Sequence, residues 1–224
     1  MTIRRFLNAA LIAGVALFLV AASASASIIT YNSGTSPAVT NITMQATELN
    51  GNVVFPDFNP ALGTLTSVLI TLEGDIQGTI GLTNGDNASH TATGTTSVQY
   101  SGGALISFTS SFSTGSQTIG AFGSYNSGTL TGTNTGSDTV TSGLGPYIGA
   151  GGSWDLLVTT VSGISVLGGG GFIGASQTTD ADAIGTVTYT YTPAGTVPEP
   201  ATLSLIGGAL LGLGVLGRKK LFRQ

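Results

Sequence analysis

The chain has 224 residues, 35 of them Gly, none Cys and only 7% charged, where average usage is about 7% Gly and 25% charged. The glycines lack the every-third-residue period of collagen, the charge is too sparse for a coiled coil, and 41% apolar residues are too many for a charge-rich disordered segment. All six basic residues sit at the ends, Arg4 and Arg5 at one, Arg218, Lys219, Lys220 and Arg223 at the other, so the interior is purely acidic. Nucleic acid and anionic lipid are poor partners for such an interior, because both are held by Lys and Arg neutralising phosphate. A buried carboxylate there must be satisfied by backbone N–H groups, hydroxyls or a cation.

Residues 1–26 have the parts of a secretory signal peptide. Arg4 and Arg5 make the positive start, Leu7 to Val20 the apolar run, and Ala22-Ser23-Ala24-Ser25-Ala26 overlapping A-x-A cleavage sites. We expect a signal helix cut after Ala26, leaving Ser27 first, with Ala24 as the second choice. Asn8 stands where a twin-arginine signal wants an apolar residue, which favours the general secretory route and signal peptidase as partners.

From 27 to 196 the dominant pattern is alternation with Thr and Ser. Val68, Ile70, Leu72, Gly74, Ile76, Gly78, Ile80 and Leu82 keep a period of two, predicting a long strand, bent or broken near Glu73-Gly74-Asp75. Further strands are expected at 106–112 and 185–192, with weaker candidates at 28–31, 39–49, 98–100, 120–125, 156–161 and 164–167. Turns are expected at 84–87, 126–128, 136–138 and 143–152, and a flexible loop over 129–152. Short strands without an amphipathic helix predict an all-β body, an antiparallel β-sandwich or jelly roll, in one extracellular domain over 27–196.

Catalytic groups are scarce in this body. With one His and no Cys, nucleophilic chemistry would have to run through His90, and no nucleophile-elbow motif accompanies it. Nine carboxylates precede residue 197 (ten in all, less Glu199), and nothing in their spacing marks a glycosidase pair. Trp154 reads as a core anchor more readily than as a sugar platform. Calcium is the one cofactor with a sequence argument. Asp180 and Asp182 share one side of an extended segment, and Asp86 sits in an oxygen-rich turn, although exposed acids that keep the surface soluble explain the same residues.

The last 28 residues fall into three parts: Val197-Pro198-Glu199-Pro200, a charge-free run 201–217, and the basic tail 218–224 with Arg218, Lys219, Lys220 and Arg223. A helix over 201–217 would be about 25 Å long, at the short end of what crosses a bilayer, and the basic tail would stay on the cytoplasmic side. This ending resembles the PEP-CTERM sorting signal of Gram-negative bacteria that make extracellular polysaccharide. The resemblance implies recognition by an exosortase, cleavage near the motif, a precursor tethered in the inner membrane, and delivery to the outer surface or extracellular matrix.

A second segment, Val54-Phe55-Pro56-Asp57-Phe58-Asn59-Pro60-Ala61-Leu62-Gly63-Thr64-Leu65-Thr66-Ser67-Val68, resembles the start of the choice-of-anchor E domain, a β-rich surface domain of undefined biochemistry. Together these readings predict a non-enzymatic exported protein with a structural or adhesive role in biofilm or exopolysaccharide. A calcium-dependent carbohydrate-binding module and a glycan-active enzyme are the alternatives.

Overall fold

The structure is a computed structural model and describes residues 26–194 and 207–210. The chain divides into two units, Ser27–Tyr191 and a second made of Met1–Ala26 with Thr192–Gln224. In the second unit, residues 207–210 are helical. The expected signal helix, the PEP tetrad and most of the expected span at 201–217 lie outside the described residues. Among the described residues no helix is long and apolar enough to cross a membrane.

Eleven strands build the first unit: β1 Ser27–Tyr31, β2 Ile42–Ala46, β3 Asn50–Pro56, β4 Gly63–Asn84, β5 His90–Gly102, β6 Ile106–Ser113, β7 Gln117–Ile119, β8 Ser124–Asn126, β9 Leu130–Val140, β10 Ser153–Gly168 and β11 Ile173–Pro193. One sheet runs β1-β11-β4-β8, with β2 also on β11 and β9 also on β4; the other runs β3-β10-β5-β6, with β7 also on β5. The short strands share edges, so each sheet has four columns. Numbered along the chain, these columns lie in the orders 1-8-3-6 and 2-7-4-5, which is the interleaving of a jelly roll. The sandwich expected from the alternation is the fold observed.

The period of two does what it predicts in β4, where Val68, Ile70, Leu72, Ile76, Ile80 and Leu82 are all buried. Across from them, β5 contributes Val98 and Tyr100 and β3 contributes Val53 and Phe55, while β11, beside β4 in the same sheet, adds Val187 and Tyr189. Burying side chains of this size stabilises by roughly 1.5–3 kcal/mol each before entropy is counted.

Of the two expectations at Glu73-Gly74-Asp75, one long strand or two strands broken there, the single strand is observed, because β4 pairs continuously with β9 from Val68 to Gly78. The backbone there also bonds side chains of other strands. The Asp75 N–H donates to the Asp182 carboxylate at 3.0 Å. The Gly74 carbonyl accepts from the Ser110 hydroxyl at 2.8 Å, and the Asp75 carbonyl accepts from the Tyr100 hydroxyl at 3.1 Å. Tyr100 in turn lies parallel to Phe108, centroids 4.8 Å apart. Two hydroxyls of one sheet are thus bonded to backbone of the other through the middle of the core.

Four expectations need correction. Residues 129–152 are not a loop throughout, since β9 occupies 130–140 and the expected turn at 136–138 lies inside it. Its Gly and Thr content mimics a linker, but glycine is what lets β9 approach the other sheet. A Cβ at Gly136 would lie 2.5 Å from the Phe108 ring, and the Asn134 amide donates to the Thr109 carbonyl at 2.7 Å. The two candidates at 156–161 and 164–167 are one strand, β10. The candidate at 120–125 is mostly the turn that follows β7, and only its last two residues belong to a strand, β8. The candidate at 39–49 shrinks to β2, and the neighbouring strand β3 was not anticipated.

Gly74 is the position this packing constrains most directly. A Cβ there would fall 2.6–2.7 Å from the Cε atoms of Tyr100, well inside contact distance. Ala for Gly inside a strand ordinarily gains about 0.5–1 kcal/mol. Here overpacking should win, and Gly74→Ala should lower stability by about 1–3 kcal/mol, read as a lower midpoint in urea unfolding of the full chain.

Candidate functional site

The residues that sequence reasoning marks for processing sit at the two ends of the folded unit. Ala26 is exposed and Ser27 is the first residue of β1. The β1–β11 ladder then sets Ser27 opposite Tyr191, the last residue of the unit. Both chain ends of the sandwich therefore leave from the same corner of one sheet. That corner is anchored by aromatic packing, with Tyr31 edge-on to Tyr189 at 6.0 Å and Phe58 against Tyr191 at 5.2 Å. The proposed cut after Ala26 would free Ser27 at the start of a hydrogen-bonded strand. Ala24, Val197, Pro198, Glu199, Pro200, Arg218, Lys219, Lys220 and Arg223 lie outside the described residues.

Trp154 is placed as a core anchor. It stacks on Phe55 at 4.5 Å, and its indole N–H donates to the Tyr189 hydroxyl at 2.8 Å, which donates to the Pro56 carbonyl at 2.7 Å. Burial raises the Tyr189 phenol far above its ordinary range, so it stays neutral and keeps its hydrogen to donate. The Val54–Leu65 segment supplies this cluster. Phe55 and Phe58 are buried, and the Asn59 side chain accepts from the Ala61 N–H to cap a short 3-10 turn, Pro60–Leu62, before β4 begins.

His90 opens β5 and its Nε2 lies 2.6 Å from an Asp86 carboxylate oxygen, while its ring stacks on Phe172 at 5.2 Å. The His90 contact and the Asn87 N–H hold the Asp86 carboxyl below the usual carboxylate range. The neighbouring hydroxyl, Ser89, donates instead to the Ile119 carbonyl. The turn around these groups is tied by the buried Asn84 amide, whose two hydrogens are shared among the Ala88, Gly120 and Ile119 carbonyls at 2.7, 2.9 and 3.2 Å.

Of the calcium candidates, Asp86 is thus engaged by His90. Asp180 and Asp182 lie on β11 with the buried Ala181 between them, on the face turned away from the core. Asp182 meets Asp75 on β4, whose carboxylate accepts from the Thr133 hydroxyl at 2.5 Å. Among the described residues no three His, Cys, Asp or Glu groups converge as a metal site would require. Sequence spacing could not have paired Asp75 with Asp182, because the contact depends on the register of β4 with β11.

Burial, followed by the nearby Asp75 and Glu73, pushes the Asp182 carboxyl above its ordinary value, while the Asp75 N–H pulls the other way. A carboxyl raised on folding costs stability at neutral pH, and the cost fades as pH falls through the raised value towards about 4. Like charges facing each other across a sheet cost about 0.2–1 kcal/mol. Asp182→Asn, which keeps the acceptor oxygen, should therefore raise the melting temperature at pH 7 and make little difference near pH 4; a stabilisation that grew in acid would contradict this account.

Comparison with known proteins adds to this geometry. None of the curated proteins compared matches the sequence. Among solved structures, that of infectious bursal disease virus Gx strain is 12% identical, covering 85% of this chain and 51% of its own, with a TM-score of 0.14. That of the Gt strain is 10% identical, covering 84% and 50%, with a TM-score of 0.13. The chain spans about half the length of these structures, and scores of this size do not establish a shared fold. A family model described as the PEP-CTERM protein-sorting motif matches residues 196–220. Beginning just past the end of β11 and containing Val197-Pro198-Glu199-Pro200 and the first basic residues of the tail, that match means the chain carries a PEP-CTERM protein-sorting motif.

Proposed function

We propose that this protein is a non-enzymatic surface or matrix component, whose folded body is carried out of the cell and released by an exosortase. The sorting motif at residues 196–220 carries this reading; it marks an exported protein made as a membrane-anchored precursor. The finer placement, on the outer surface or in the exopolysaccharide of a Gram-negative biofilm, draws on the polymer-making setting implied by the resemblance.

The body's chemistry supports a structural or adhesive role. Its single His is engaged by Asp86 and Phe172, and its Trp is engaged in the core. Signal peptidase, the secretion machinery and the exosortase are the partners this route requires, and the mature body would work without a cofactor.

Intact-mass measurement on the protein recovered from an exosortase-producing host tests the proposal. The expected species begins at Ser27 and ends near Pro198–Pro200. Glu199→Ala should leave the uncut precursor in the membrane fraction. A released protein still bearing Arg218 to Gln224 would contradict exosortase processing.

A further inference from the structure

We infer that the outer face of the β10-β5-β6 sheet is a docking surface for a neutral polysaccharide. This deepens the matrix-resident reading above and rests on it.

The ladders set side chains of this face in rows across three strands: Ser165, Thr95 and Ser113; Gly163, Ser97 and Ser111; Val161, Gln99 and Thr109; Thr159, Ser101 and Ser107. Their neighbours along each strand, among them Thr96, Val98, Tyr100, Ser110 and Phe112, point into the core. The twelve outward positions hold no charge and no aromatic ring. Rows repeat every 6.8 Å or so along a strand, and columns every 4.8 Å or so across. Ser97, Gln99, Ser107 and Ser111 make no side-chain hydrogen bond among the described residues, nor does the Thr109 hydroxyl, so the centre of the block offers unspent donors and acceptors.

Hydroxyls are used internally on both faces of the sandwich: Thr30 bonds Thr188 and Thr79 bonds Thr178 on the opposite face, while Thr95 bonds Ser113 and Ser101 bonds the Gly103 carbonyl at the margins of the block. The two faces differ in charge, since the opposite one carries Asp75 and Asp182, with Glu73 close enough to raise the Asp182 carboxyl. The acids nearest the β10-β5-β6 block both lie along its β10 edge and are engaged there: the Glu48 carboxylate accepts from the Ser162 N–H at 3.3 Å, and Asp155 accepts from the Asn52 amide at the β3 end. No Lys or Arg lies between residues 6 and 217, so an anionic polymer would find repulsion and no counter-charge anywhere on the body. A neutral glycan meets neither problem. Its hydroxyls match the free Ser, Thr and Gln groups, and its C–H faces match Val161, which is 61% exposed beside Gln99.

Affinity electrophoresis of the full chain in mild detergent, through gels containing dextran or amylose and, separately, alginate, tests the inference. Retardation by a neutral polymer is expected, with none by alginate. A carboxylate set in the block must be desolvated by a bound glycan, so Ser97→Glu with Ser111→Glu should weaken retardation about tenfold or more, while Thr71→Glu on the opposite face should leave it unchanged. Where the Glu pair lowers the melting temperature, Ser97→Ala with Ser111→Ala and Thr109→Ala asks the same question without added charge. No retardation by either neutral polymer, equal retardation by alginate, or indifference to both sets of substitutions would overturn the inference. So would self-association that the same substitutions abolish, since a second copy would then be the occupant. Fractionation of the producing cells keeps the two claims apart: a protein that is exported and processed yet ignores neutral glycans defeats this inference and leaves the sorting reading standing.

Discussion

The contact between Tyr100 and the bare backbone at Gly74 is the point on which this sandwich closes. A jelly roll needs its two sheets about 10 Å apart, and a buried phenol fits that gap only if something opposite gives way. Gly74 does so by having no Cβ, and the strand then repays the missing side chain by accepting two hydroxyl hydrogen bonds across the core, from Tyr100 and Ser110. Burial pushes the Tyr100 phenol far above its ordinary range, so the donor does not ionise near neutral pH. Because those carbonyls face inward, the Asp75 N–H turns to Asp182, and the acidic contact on the outer face follows from the same adjustment.

That adjustment also shows how a body without Lys or Arg keeps its acids. Asp182 is held by a backbone N–H, Asp75 by a hydroxyl, and Asp86 by a backbone N–H and a histidine. The backbone and hydroxyl donors among these are screened less by salt than exposed ion pairs are, and they do their work without Lys or Arg. The composition and the hydrogen bonding are therefore one constraint seen at two levels.

Much of the architecture was legible wherever burial alternated with period two in large apolar residues, as in β4, β6 and the last half of β11. It was illegible where small residues do the packing. In β5, the inward positions Ala92, Gly94 and Thr96 carry too little hydrophobicity to announce a strand, and in β9 Gly132 and Gly136 face the other sheet, where the sequence suggests a linker. Gly74 could be read as a bend or as a break, and the strand does not end there: it stays paired with β9 while the Gly74 and Asp75 backbone also bonds side chains of other strands. The sorting motif was legible for a different reason: a transport signal is read as extended sequence by other proteins, so its meaning does not wait on tertiary register. The contact between Asp75 and Asp182 had no such legibility, because 107 positions separate the two residues.

Placing both ends of the folded unit at one corner has a mechanical consequence for export. With Ser27 paired to Tyr191, β1 can dock only after the end of β11 has formed, so the ladder that completes the sheet joins the first and last parts of the body to emerge. Loop-closure entropy makes such a contact the slowest to nucleate and of little use until the intervening strands are in place. The sorting motif at residues 196–220 begins only after that last strand, so the ladder that closes the sheet can form without drawing on the segment that an exosortase would read.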